Sequence, residues 1–278
     1  MLKLKRKLII VVMLIIGITA FLSCTKESTN NDNKSNKNLT LKESTLDLAS
    51  LHNNTVIQLY NQVDFSDSTV AKNMIWNNFK NNVSIDSSIL GELNMSRDSF
   101  NIFSQFVYSE VENCQFDVRN SVKYSMNGTK VYTYLNQLLS IADKFDENST
   151  VNDMIAQVNQ IKNLASENLS ETDLIFVSSV ADVFIGSIQL WLPQDMGGKG
   201  YTDLFNTKKT IKAKLTERQK KVIGDALISD ASCMAIGLEV TAWTALATGG
   251  TMAPADLVAT CVAAALGSAL TAVISWFR

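Results

Sequence analysis

Proline is nearly missing from this chain of 278 residues, which has only Pro193 and Pro254. A proline inside a helix removes a backbone hydrogen bond and clashes with the preceding turn, so long proline-free stretches leave helices uninterrupted. In those stretches apolar residues recur at three- and four-residue intervals, the spacing of one face of a helix. Together these features predict an all-α fold, a multi-helix bundle occupying residues 41–278.

Periodicity and capping signals place the individual helices. Ser170 followed by Asp173, and Thr216 followed by Gln219, have the spacing of capping boxes, and Ser44 or Thr45 is expected near the start of the first helix. The sixth helix is apolar around most of its circumference, which favours a central position in the bundle. The eight predicted helices cover approximately residues 46–63, 68–79, 96–114, 132–142, 151–164, 171–192, 216–248 and 254–277.

The last two helices form an apolar hairpin, residues 216–278, rich in small side chains. The segment from Leu257 to Phe277 holds 21 uncharged residues, enough to cross a bilayer. Three interpretations are open: a hairpin buried in a soluble bundle, one that inserts into membranes conditionally, or a constitutive membrane span. Burial is favoured because Glu239 on the first arm would be costly in mid-membrane and the second arm is rich in alanine.

The first 23 residues have the pattern of a secretory signal peptide. Four basic residues precede an uncharged, mostly apolar run from Leu8 to Leu22, and Ser23 and Cys24 follow at once. Phe21-Leu22-Ser23-Cys24 resembles a lipobox, which implies that Cys24 carries acyl chains, palmitate among them, and becomes the new N-terminus. The alternatives are an ordinary signal peptide and an uncleaved anchor. Phe21 and Leu22 depart from the commonest form of the motif.

Residues 24–40 form the predicted lipidated tether. They are polar and contain no apolar residue between Cys24 and Leu39, so the stretch is expected to be disordered. Thr25 follows the cysteine, where Asp would favour retention in the inner membrane by analogy with sorting rules. The expected location is the cell envelope, lipid-anchored, in the outer membrane of a Gram-negative bacterium.

Charge and motifs exclude several classes of function. Removing the four basic residues of the first 24 leaves 21 Lys and Arg against 27 Asp and Glu, a net charge of −6, and no basic patch indicates nucleic-acid binding. Gly-x-Ser-x-Gly, Walker and dinucleotide-binding patterns are missing from the sequence. No spacing of Cys and His indicates zinc, and neither a metal nor a cofactor is predicted.

The three cysteines beyond Cys24 are Cys114, Cys233 and Cys261. In a regular hairpin Cys233 lies roughly 22 Å from the turn and Cys261 roughly 10 Å, so the two would miss each other. Buried free thiols are therefore expected, with a disulfide involving Cys114 left open. His52, the single histidine, would have to serve any Ser-His-Asp or Cys-His catalytic set. The favoured interpretation is a histidine that is hydrogen-bonded between helices or exposed.

Three elements together resemble uncharacterised helical lipoproteins and secreted proteins of Gram-negative bacteria. They are Leu51-His52-Asn53 near the start of the predicted domain, a helix ending in Ser-x-x-x-Trp at residues 187–191, and a small-residue helical pair with an early Asp, from Asp225 to the end. The hairpin has fewer glycines than such sequences often show. The resemblance implies no activity, but it makes His52 and Asn53 the first candidates for ligand contact.

The expected function is therefore a non-enzymatic binding or interaction module on an envelope or surface lipoprotein, attached to the membrane through Cys24. The alternative is an antagonistic, pore-forming protein whose C-terminal hairpin inserts into target membranes. An enzyme of unrecognised type comes third. The sequence does not indicate which protein or ligand is the partner.

Overall fold

The computed structural model describes residues 47–82, 126, 128–205, 215–248 and 254–278, with backbone alone for residues 240–248 and 254–256. Within these residues the chain is all-helical, with seven α-helices and two 3-10 turns, Gln194–Met196 and Tyr201–Phe205. The helices are α1 Leu48–Leu59, α2 Ser68–Asn82, α3 Lys130–Asp143, α4 Val151–Asn168, α5 Glu171–Trp191, α6 Glu217–Thr248 and α7 Pro254–Phe277. The predicted all-α bundle is confirmed. The helix predicted over 96–114 lies outside the described residues, as do Cys24 and Cys114.

Side-chain caps fix most helix starts where the sequence predicts them. Ser170 accepts a hydrogen bond from the amide of Asp173 at the start of α5. At the start of α6, the hydroxyl of Thr216 accepts from the amide of Gln219, while the Gln219 side chain accepts from the amide of Thr216. This reciprocal pair is the predicted capping box.

The predicted bounds of the first helix are wrong at both ends. The helix begins at Leu48, not near Ser44 or Thr45, because the carboxylate of Asp47 accepts the amide of Ser50 and so caps it. It ends at Leu59 rather than Val63. Gln62 adopts a φ of 57°, in the left-handed region, which the helix cannot accommodate.

Helix α5 is central, as its apolar circumference predicts, and packs against α1, α3, α4 and α6. A methyl group at Gly186 would lie 2.8 Å from the carbonyl oxygen of Ala49, so α1 and α5 cross at a point where only glycine fits. After Trp191 the chain turns at Pro193 and Gly197 and folds back, and the amide of Lys199 donates to the carbonyl of Gln189.

The C-terminal hairpin lies in the core of the bundle. Helices α6 and α7 pack most extensively on each other, and α7 also packs against α1 and α2. Among the described residues, two segments are long and apolar enough to cross a membrane by length and composition, Glu171–Trp191 and Leu257–Phe277, and 67% and 89% of their most apolar windows are buried. The buried-hairpin interpretation describes this structure.

Candidate functional site: a buried Asp230 cluster

Five polar side chains from three helices meet in the interior. His52 and Asn53 come from α1, Ser187 and Trp191 from α5, and Asp230 from α6; Asn53 is 4% exposed and the other four are fully buried. Ser187 and Trp191 are four residues apart, so both face the same side of α5. We call these five residues the Asp230 cluster. It contains residues of the three sequence elements on which the family resemblance rests, but not Asp225, the early Asp of the helical pair.

The carboxylate of Asp230 is the centre of the cluster. One oxygen, Oδ1, lies 2.7 Å from Nε2 of His52. The other, Oδ2, accepts a hydrogen bond from the hydroxyl of Ser187 at 2.5 Å and a longer one from Nε1 of Trp191 at 3.4 Å. An isolated buried carboxylate is strongly disfavoured, and these three donors on two other helices compensate its lost hydration.

His52 is placed to carry a proton on both ring nitrogens. Nε2 faces the Asp230 carboxylate, and Nδ1 lies 3.2 Å from Oδ1 of Asn53. Because both partners are acceptors, the doubly protonated imidazolium satisfies both contacts. Burial lowers the pKa of His52, but the charge of Asp230 and the hydrogen bonds to Asp230 and Asn53 outweigh it, so that its pKa is raised above the ordinary value.

The negative charge also acts on three further groups around the cluster. Burial, and then the charge of Asp230, raises the pKa of Tyr60 well above 10, and the Tyr60 hydroxyl donates to the carbonyl of Ala269 at 2.8 Å. Burial raises the pKa of the Cys233 thiol to about 12, although the hydrogen bond with Ser229 acts in the opposite direction and lowers it. Burial and the Asp230 charge likewise raise the pKa of Cys261. Cys233 and Cys261 are free thiols, as predicted, although Cys233 is only partly buried.

The cluster does not have the geometry of a catalytic triad. In a triad the histidine lies between the nucleophile and the carboxylate, and accepts the proton of the serine. Here the carboxylate lies between them: Ser187 donates to Asp230, and the two His52 nitrogens face Asp230 and Asn53. Among the described residues, no group of three His, Cys, Asp or Glu side chains could hold a metal ion.

Access from solvent is also lacking at the cluster, since four of its members are fully buried. A nearby crevice on the α3–α5–α6 side has no room for a water molecule and includes none of the five residues. Its lining is Leu135, Leu139, Val180, Ala231, Ser232 and Ala235. The cluster therefore joins three helices by hydrogen bonds, and it does not expose a reactive side chain to an external molecule.

The structure places the two predicted contact residues, His52 and Asn53, inside this cluster and not on a surface. The favoured sequence interpretation is a histidine that is hydrogen-bonded between helices or exposed, and the first of these is what the structure shows. The role of Asp230 was missed: Asp225, the early Asp of the C-terminal helical pair, is singled out from the sequence, and Asp230 is not. The carboxylate of Asp225 instead accepts hydrogen bonds from Lys221 and Ser275 near the surface.

The fold and the cluster define a helical bundle with a buried, charged polar centre. Searches against protein-family models, curated proteins and solved structures find no match to the chain.

Proposed function

We propose that this chain is a lipid-anchored envelope protein whose helical bundle acts as a non-enzymatic interaction domain. The supporting observation is the burial of its apolar helices: 89% of the most apolar window of α7 lies inside the bundle. In this folded form α7 is not available to hold the protein at a membrane. Attachment therefore falls to the acylated Cys24 that the signal sequence implies, and two or more acyl chains suffice for stable anchoring.

The non-enzymatic part of the proposal is supported by the cluster geometry. The one histidine is engaged on both ring nitrogens and fully buried. Its carboxylate partner separates it from Ser187, which carries the hydroxyl of the cluster. The partner would have to be recognised on the exterior, where the large exposed apolar side chains of the described residues lie on different elements. They are Val70, Leu164, Leu204 and Phe277.

Anchoring is tested by expressing the full chain in a Gram-negative host and analysing its N-terminal peptide by mass spectrometry. We expect acylated Cys24 as the first residue and protein in the outer-membrane fraction. The Cys24→Ser variant should remain unacylated and lose membrane fractionation after mild extraction. As a matched variant, Thr25→Asp should stay acylated and shift to the inner membrane. An unmodified Cys24 in the wild-type protein would refute the proposal.

A second candidate is membrane insertion of the C-terminal hairpin. The specific observation in its favour is that α7 combines a span of 21 uncharged residues with a tight, small-residue contact to α6. A methyl group at Gly267 would lie 2.9 Å from the sulfur of Cys233, so the two backbones approach closely. Helix pairs packed through small residues remain paired in lipid as well as in water.

A further inference from the structure

The two hairpin arms are joined to each other by their own polar contacts. The hydroxyls of Ser229 on α6 and Thr271 on α7 lie 3.1 Å apart, and Ser275 on α7 donates to the carboxylate of Asp225 on α6. Their packing on each other exceeds their packing on any other helix. The hairpin therefore holds together through contacts that do not involve the rest of the bundle.

Among the described residues, the side-chain hydrogen bonds from the hairpin to the other helices are centred on Asp230. Its carboxylate accepts from His52 on α1 and from Ser187 and Trp191 on α5. Two weaker ties act on α7, where the carbonyl of Ala269 accepts from Tyr60 and the sulfur of Cys261 lies 3.4 Å from the carbonyl of Leu48. Among the described residues, Asp230 in the middle of α6 thus makes the buried charged tie, and Lys220 near the start of α6 forms a more exposed ion pair with Glu147, between α3 and α4.

We propose that the Asp230 cluster is a latch that holds the α6–α7 hairpin in the bundle, and that opening this latch releases the hairpin to a lipid bilayer. This inference rests on the second candidate function and is independent of acylation at Cys24.

Two effects of the same carboxylate make it suited to this role. In the closed bundle Asp230 is stabilised by donors on α1 and α5, so the hairpin leaves only if all of them separate from it. In lipid an ionised Asp in mid-helix is disfavoured, so the group that closes the latch also opposes insertion. Replacing the carboxylate by a neutral amide weakens the latch and lowers the cost of insertion together.

The test uses residues 25–278, which contain every described helix, mixed with dye-loaded vesicles of phosphatidylethanolamine and phosphatidylglycerol. The latch variant is Asp230→Asn. Its charge-matched control is Asp182→Asn, which removes a partly exposed carboxylate of α5 paired with Lys162. The control for a general loss of stability is Met154→Ala. Met154 is a buried residue of α4, and α4 packs against α3 and α5. Circular dichroism establishes that each variant is helical.

We expect Asp230→Asn to release dye about tenfold faster than wild type or more, since loss of the latch shifts the closed–open equilibrium. Asp182→Asn and Met154→Ala should behave as wild type. Peptides of α7 should become protected from protease in the presence of vesicles for Asp230→Asn alone. If Asp230→Asn does not fold, Ser187→Ala, which keeps the carboxylate and removes one donor, takes its place with a smaller increase.

Three results would overturn the latch. They are a folded Asp230→Asn without dye release, equal release by Met154→Ala, or release without protection of α7 peptides. Since the protein used carries no lipid, these results do not bear on anchoring through Cys24, and an unmodified Cys24 would not bear on the latch.

Discussion

Replacing Asp230 by Asn should destabilise the fold more than any other exchange of one carboxylate for an amide in the described helices. The side chain is fully buried and accepts three hydrogen bonds. An amide can accept on one side only, so its NH₂ group faces either Nε2 of His52 or the donors from Ser187 and Trp191. The Ser187 hydroxyl can rotate and accept a hydrogen bond from the amide NH₂, but the Trp191 indole N–H can only donate.

The magnitude follows from the cost of leaving one member of a buried pair alone, about 3–5 kcal/mol. His52 can lose its proton once the carboxylate is gone, which puts the expected loss near the lower end, about 3 kcal/mol. For a domain of this size each kcal/mol lowers Tm by about 2–4 °C, so a fall of roughly 6–12 °C is expected. The control Asp182→Asn removes a pair whose side chains are 28% and 37% exposed. Its cost should be about 0–1 kcal/mol.

Urea and thermal unfolding followed by circular dichroism measure both variants in residues 25–278. Adding His52→Gln, alone and with Asp230→Asn, completes a double-mutant cycle. We expect the double variant to lose clearly less free energy of unfolding than the sum of the losses of the two single variants, because each single change already breaks the contact between His52 and Asp230. A loss for Asp230→Asn no larger than that for Asp182→Asn, or additive single losses, would refute the reasoning.

Three further predictions concern neighbouring groups. The pKa of His52 is raised in the folded protein, so protonated His52 contributes its full stabilisation below pH about 6.5, and this stabilisation is lost as the pH rises through the folded pKa. The free energy of unfolding should therefore fall over that pH range, and His52→Gln should remove this pH dependence. Gly186→Ala should cost about 2 kcal/mol or more in urea unfolding, because the new methyl group meets the Ala49 backbone; an unchanged midpoint would contradict the close crossing of α1 and α5. Cys233 and Cys261 should be alkylated at pH 8 at least about 100-fold more slowly in the folded than in the urea-unfolded protein, since burial raises both thiol pKa values; peptide-resolved mass spectrometry checks each site, and rapid labelling of Cys261 would contradict its burial.

The helices could be predicted from the sequence because their signals are local. Capping boxes at Ser170 and Thr216 and the proline at 254 mark starts that depend on residues within one turn. The central position of α5 follows from its apolar circumference. Helix α1 shows the limit of this reasoning, since it is capped by Asp47, three residues after Ser44, and Asp47 is not among the capping residues predicted from the sequence.

The centre of the cluster could not be predicted, for a physical reason. Helix α6 has apolar or small residues on nearly every side, so its pattern does not indicate which carboxylate faces inward. Asp225 and Asp230 are five residues apart and therefore lie on different faces. Only the positions of α1 and α5 determine which of the two carboxylates faces the interior. These positions depend on contacts between residues far apart in sequence, such as that of His52 with Asp230.

The value of a buried charged pair lies less in net stability than in the arrangement it specifies. Apolar side chains of similar volume would stabilise an interior equally well or better, because they need no compensation for lost hydration. They would also tolerate a shift of one helix past another. Here two independent features on one face of α1 fix its position: Ala49 fits only over Gly186, and His52, three residues later, meets Asp230. A slip of α1 by one turn, about 5.4 Å, would break both at once. The same dependence on one geometry makes Asp230 the residue at which the bundle can be opened.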